Sequence, residues 1–245
     1  MSVTDERSPN DARFRTTRWS LVRAAGDSRQ DDSQEALNEL CQSYWFPVYA
    51  YFRRRTGNAV ESQDLTQEFF ATLLEKHYLS DARQERGRFR TFLLTAAQRF
   101  LSMQCAKSNA LKRGGGKRAL SLDFAIGESL YATEPVDNEM PERTFDRRWT
   151  LNLLEIVHQR LGDEYSASGK RQAYDLLKPH LIGAGSTESY EEVAKVLGST
   201  VGAVKTSVYR MRCRYRELPR TEIAETVADP AEVDDEIKQL FASLG

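Results

Sequence analysis

The sequence predicts an all-α protein made of two small helical domains joined by a flexible linker. Three observations lead there. Apolar residues recur at intervals of three and four along nearly the whole chain, and no run alternates strictly enough for a strand. The 245 residues suit one large domain or two small ones, at roughly 100–200 residues per domain. From about 108 to 140 the periodicity fades into a glycine triplet (Gly114, Gly115, Gly116), Pro135 and a run of acids, which is linker composition.

The elements follow in chain order. Thr17 can cap a short helix carrying Trp19 and Val22, with Gly26 near its end. Leu37, Leu40, Cys41, Tyr44, Val48 and Phe52 mark the next helix. Pro47 is expected to kink or split it, because proline removes one backbone bond and crowds the preceding turn. Gly57 fits a stop, and Asn58 with Glu61 reads as a cap and its N3 partner. The helix after it carries Leu65, Phe69, Leu73 and Leu74. Another, from about Phe89 to Gln104, is expected to bury Phe89, Phe92, Leu93, Ala96, Ala97, Phe100 and Leu101. Beyond the linker, Trp149, Leu153, Ile156, Val157 and Leu161 form one core stripe and Tyr174, Leu177 and Leu181 another. The expected division is a first domain at 15–107, a linker at 108–140, a second domain at 141–220 and an acidic extension at 221–245.

Composition narrows the function. Apolar residues make up 40% and charged residues 29%, enough for packed cores. No apolar run approaches the roughly 18 residues of a membrane span, and residues 1–10 lack a signal-peptide core, so the expectation is a cytoplasmic protein with no membrane insertion. Three scattered cysteines without C-x-x-C, and only three histidines (His77, His158, His180), argue against a metal centre, a disulfide framework or histidine catalysis. No cofactor and no enzymatic activity are expected.

The net charge of −1 hides segregation. Residues 83–118 hold ten Lys/Arg against one acid, and 201–220 hold six against one. Residues 128–146 hold six acids against one base, and 221–245 hold seven against one. Two basic islands inside helical patterns suit two contacts to a polyanion.

The sharpest local signal lies in residues 189–217. Ser189 can cap a helix with Glu192 at N3, closing a capping box, and Val193, Ala194 and Leu197 supply its buried side. Gly198 sits at the turn, and Thr200 can cap a second helix that buries Val201, Val204, Val208 and Met211. A short helix, a tight turn and a basic second helix make a DNA-reading helix-turn-helix pattern. Ala203 can approach bases closely, and Thr200, Lys205, Thr206 and Tyr209 can reach bases or phosphates. Arg210, Arg212 and Arg214 are expected on phosphates. In the first domain, Asp64, Gln67 and Glu68 share one exposed face opposite Leu65, Phe69 and Leu73, which taken alone is either a solvated charged face or a protein-docking surface.

Together, "ALNELCQSYWFPVYAYFRRRTGN", "DLTQEFF", "FRTFLLTAAQRFL" and "SYEEVAKVLGSTVGAVKTSVYRMRCRYREL" closely resemble the bacterial RNA polymerase sigma factors of the extracytoplasmic-function group. "FRTTRWSLV", "LKRGGGK" and the C-terminal extension resemble a long, planctomycete-like subgroup. The resemblance implies a region-2-like first domain and a helix-turn-helix, region-4-like second domain. It implies that Asp64, Gln67 and Glu68 grip the clamp of the largest subunit of core RNA polymerase. Promoter DNA is the second implied partner. The minus-ten element would meet Arg88, Phe89, Arg90, Phe92, Gln98, Arg99, Gln104 and Lys107. The minus-thirty-five element would meet the helix carrying Thr200 to Arg212. An anti-sigma factor or another signalling protein is a further partner the family admits. Ser199, Ser207 and the dilute basic run after Arg99 depart from the family pattern and bear on promoter preference. The rival reading is a helix-turn-helix regulator acting without core polymerase.

The C-terminal extension is expected to be a helix, with Asp229 as cap, Pro230 at N1 and Glu232 at N3. Val233, Ile237, Leu240, Phe241 and Leu244 form its stripe, and Asp234, Asp235, Glu236 and Lys238 fall mostly outside it. The stripe needs a surface, and the second domain is the expected one. The alternative is that its acids compete with DNA for the basic recognition helix.

Overall fold

The computed structural model describes residues 33–75, 88–108, 122–133, 140–181 and 189–245. The expected helix around Trp19, the glycine triplet, His77, and the side chains of Leu37, Leu74 and Lys107 lie outside the described residues. Among the described residues every regular element is helical, and no helix is long and apolar enough to cross a membrane. Contacts divide the chain into two compact units: residues 1–152 with 224–245, and residues 153–223.

The first unit begins with α1 (Ser33–Thr56) and α2 (Ala59–Glu75). α1 continues through Pro47, so the proline does not split it. An interior proline costs a helix about 3 kcal/mol, and here Leu40, Cys41, Tyr44, Val48 and Phe52 bury both flanking turns. Between α1 and α2 the Gly57 N–H returns to the Arg53 carbonyl, and the Glu61 N–H donates to the Asn58 side chain at 3.1 Å. α3 (Phe89–Ser108) completes a bundle in which Phe52, Phe69 and Phe100 meet with ring centroids 5.5–6.1 Å apart. Phe89, Leu93, Ala97 and Phe100 are buried, whereas Phe92, Ala96 and Leu101 are only half-buried.

The expected linker contains one described helix. Asp123 caps α4 (Phe124–Tyr131), which packs on α1. A Cβ at Gly127 would lie 2.8 Å from the Trp45 ring, so only glycine permits this approach. The Tyr49 hydroxyl donates to Glu128, and Arg53 Nε donates to the same carboxylate at 2.8 Å. Burial pushes the Glu128 pKa up, but these two donors outweigh it and hold the carboxyl below its ordinary value.

α5 (Pro141–Ala167) contains the division between the units, between Asn152 and Leu153, whereas the sequence places the second domain from 141. The physical reason lies in its first turns. Trp149 stacks on Tyr44 with centroids 4.3 Å apart and also meets Phe89 and Phe145. Asn152 Nδ2 donates to the Ser43 carbonyl at 3.0 Å. Burying aromatics of this size stabilises by roughly 1.5–3 kcal/mol each, so the first half of α5 is core of the first unit.

The second unit comprises the rest of α5, α6 (Arg171–Leu177) with a 3-10 turn at Lys178–His180, α7 (Tyr190–Val196) and most of α8 (Val201–Ala224). Leu153, Ile156, Val157, Leu161, Tyr174, Leu177, Val193, Ala194, Val204, Val208 and Met211 are buried, as the periodicity predicts. The Tyr174 hydroxyl donates to the His158 carbonyl at 2.8 Å.

The C-terminal helix is α9 (Val233–Ala242), entered through a 3-10 turn at Pro230–Glu232 that Asp229 caps. It belongs to the first unit, not to the second domain as expected. Thr150 Oγ1 donates to the Leu240 carbonyl at 3.0 Å, and Val227, Val233 and Leu240 are buried. Glu236, expected outside the stripe, is on the buried face, and Phe241 is exposed.

Candidate functional site

Three surfaces carry the candidate residues. On α2, a ladder of small hydroxyls faces inward. Ser62 Oγ donates to the Asn58 carbonyl and Thr66 Oγ1 to the Ser62 carbonyl, each at 2.6 Å. With Phe69 and Leu73 they fix which side of the helix is core. Asp64 is thereby exposed, and Gln67 and Glu68 are half-buried on the same side, as the spacing predicts. Val60, one turn before Asp64, is 66% exposed. It falls off the apolar stripe of α2. An exposed apolar residue beside acids and an amide is suited to a protein contact.

On α3 the expected basic surface is only partly outward. Arg90 is 7% exposed. Its guanidinium pairs with Asp146 of α5, and its Nε and Nη2 donate to Glu236 of α9 at 2.9 and 3.1 Å. Burial lowers the Arg90 pKa, yet the two carboxylates prevail and hold it above its ordinary value. Arg88 also reaches Glu236 at 2.7 Å, and Gln239 at 2.6 Å. Expected on minus-ten DNA, Arg90 is instead an interior cation in this arrangement, because two carboxylates far away in sequence surround it. Gln98 donates to Glu142 at 3.2 Å. Arg99 is exposed and Gln104 half-buried further along α3, which also carries Lys107. Phe89 is fully buried in the aromatic core, and Phe92 is half-buried against it.

In the second unit the local grammar is realised. Ser189 Oγ accepts from the Glu192 N–H, and Glu192 accepts from the Ser189 N–H, a complete capping box. Gly198 takes φ +58° in the turn, a conformation that costs other residues strain. The Thr200 hydroxyl accepts from the Ala203 N–H at 3.2 Å, which starts α8 and orients its first turn. Val204, Val208 and Met211 face the core, so Ala203, Lys205, Thr206, Tyr209 and Arg210 are exposed, Tyr209 at 68%. Arg216, two turns beyond Tyr209 and also exposed, extends this face and was readable from the same period.

Two arginines expected on phosphates are engaged elsewhere. Arg212 donates through Nε and Nη2 to the His180 carbonyl at 3.0 and 2.6 Å, tying α8 to the 3-10 turn. Arg214 forms a two-pronged pair with Glu164 at 2.6 and 2.9 Å, and these hydrogen bonds hold the Glu164 carboxyl below its ordinary pKa. Cys41 is buried, which pushes its thiol up to about 12, while Cys105 is exposed and Cys213 half-buried. Among the described residues no group of three or more His, Cys, Asp or Glu is placed to hold a metal ion.

These surfaces define an all-α protein with one helix face suited to a protein partner and one cationic helix suited to a polyanion. Residues 40–109, which span α1 to α3, match the family model for Sigma-70 region 2. No curated protein and no solved structure matches the chain.

Proposed function

We propose that the protein is a sigma factor of the extracytoplasmic-function type, which binds core RNA polymerase and directs it to promoters. The observation that carries this is the region-2 match over 40–109, combined with the exposed acidic and amide face that α2 presents inside it. In this reading Asp64, Gln67 and Glu68, with Val60 at the rim, dock the clamp of the polymerase's largest subunit. Arg99, Gln98, Gln104 and Lys107 on α3 meet the minus-ten element as a strand opens, basic side chains holding the backbone. In the second unit, the start of α8 enters the major groove of the minus-thirty-five element as a helix-turn-helix. Ala203, Lys205, Thr206 and Tyr209 lie nearest the bases, and Arg210 and Arg216 lie on flanking phosphates. The protein contributes binding and positioning, and the polymerase carries out nucleotide addition.

Titration of purified core polymerase with the labelled protein tests the docking face. Interface hot spots cost about 2 kcal/mol or more, roughly thirtyfold in affinity. Asp64→Ala combined with Glu68→Ala is expected to weaken binding by that order while helical content stays constant. Unchanged affinity removes the docking face. A wild-type protein that binds no core but still binds duplex DNA through α8 favours the helix-turn-helix regulator instead.

A further inference from the structure

The acidic islands of the sequence meet arginines and one glutamine of the region-2 segment inside the first unit. Glu128 of α4 accepts from Arg53, Glu142 of α5 from Gln98, and Asp146 of α5 from Arg90. Glu236 of α9 engages both Arg88 and Arg90. None of the four carboxylates lies within residues 40–109. The C-terminal segment also covers the start of α3 through its backbone, since the Phe89 N–H donates to the Thr226 carbonyl at 3.4 Å.

We propose that residues 224–245 act as an internal mimic of a nucleic-acid backbone, seated on Arg88, Arg90 and the N-terminus of α3, and displaced when single-stranded DNA binds there. The proposal rests on the reading of α3 as a promoter contact.

Three physical points support it. One carboxylate bridging two guanidiniums supplies the charge and acceptor geometry that a phosphate would supply. The ionic contact is a poor way to fasten a permanent helix. Glu236 is 2% and Arg90 7% exposed, and dehydrating such a pair offsets much of its attraction, so apolar residues of equal volume would hold α9 as well or better. What the pair adds over apolar packing is exchangeability with another anion. Finally, α9 has ten residues, too few to be stable alone in water, and its tether keeps its effective concentration high. Such a segment reseats readily once the strand leaves. A nucleic acid is favoured over a protein as the displacing partner because the covered groups are two arginines and a helix N-terminus, all selecting for anions.

The test is binding of a fluorescent oligodeoxythymidylate to the full-length protein across a salt series. Glu236→Gln is expected to bind several-fold more tightly than wild type. Its log–log salt slope should steepen by roughly 0.7 for each cation that gains a phosphate. The complementary variant, Thr150→Cys with Ser243→Cys, replaces two hydroxyls 3.2 Å apart, so that a disulfide ties α9 down. Its oxidised form is expected to bind the oligonucleotide more weakly than its reduced form. Wild type under both conditions controls for the native cysteines. Equal affinity of the oxidised and reduced variant overturns the proposal, as does a folded Glu236→Gln protein that binds no tighter than wild type. If Glu236→Gln does not fold, the disulfide comparison decides alone. Core-polymerase binding measured on the same samples separates the two ideas. Loss of core binding by wild type sinks the sigma reading, whereas intact core binding with an ineffective disulfide sinks only the mimic.

Discussion

Arg90, Arg212 and Arg214 are each held by a specific acceptor: Glu236 with Asp146, the His180 carbonyl, and Glu164. Lys205 and Arg210 on the same α8 are exposed. The difference divides their mutants. Arg212→Ala removes two charge-assisted bonds to a carbonyl, and hydrogen bonds to charged groups are worth about 1.5–3 kcal/mol each. Thermal unfolding of the full-length chain should move down by several degrees. Lys205→Ala should leave the melting temperature unchanged and alter the ranking among base-substituted duplexes in a binding series. A stable Arg212→Ala protein whose only defect is weaker DNA binding would return Arg212 to the phosphate contacts. The caps at Ser189 and Thr200 were legible because their partners lie three residues away. The partners of Arg90 lie 56 and 146 residues away, and no local pattern announces them.

Helices were read well where one apolar stripe meets one core. The buried positions of α7, of α8 up to Met211 and most of α1 follow from the 3.6 period, although Leu65, Leu197 and Val201, expected on such stripes, are only half-buried. Three features escaped it. Pro47 and Pro219 lie inside helices, because tertiary packing outweighs a missing backbone bond. Glu236 sits on the stripe of α9 between Val233 and Leu240, where its charge disguised a buried position. Ile126 and Leu130 of α4 remain exposed, so α4 is held by Phe124, Gly127, Glu128 and the Arg148 hydrogen bond to the Leu130 carbonyl at 2.6 Å. That dependence gives α4 a pH response. The Glu128 carboxyl is held below its ordinary value of 4.5, so its stabilisation is complete above 4.5 and disappears as pH falls through the lowered value. Acid titration followed by tryptophan fluorescence should report Trp45 losing Phe124, whose rings meet at 5.5 Å. Glu128→Gln should abolish that transition. An identical acid profile in this variant would show that another group controls α4.

At the scale of the molecule, the sequence made the number of compact helical units legible but not their division. The glycine triplet and acid run drew attention to 108–140, yet packing divides the chain inside α5, where Trp149 commits the first turns to Tyr44 and Leu153 begins the other core. The C-terminal helix was expected to cover the second domain. The interior arginine on α3 and the hydroxyl of Thr150 draw it to the first unit instead. In the proposed function, this chain confers promoter recognition on core polymerase. Reconstituted transcription on a library of promoter fragments tests it most directly, with purified core enzyme alone, with the protein, and with its Asp64→Ala, Glu68→Ala variant. The account predicts transcripts from defined start sites only when the wild-type protein is present, and their loss with the variant. Wild-type protein that binds the fragments and produces no defined start site would contradict it.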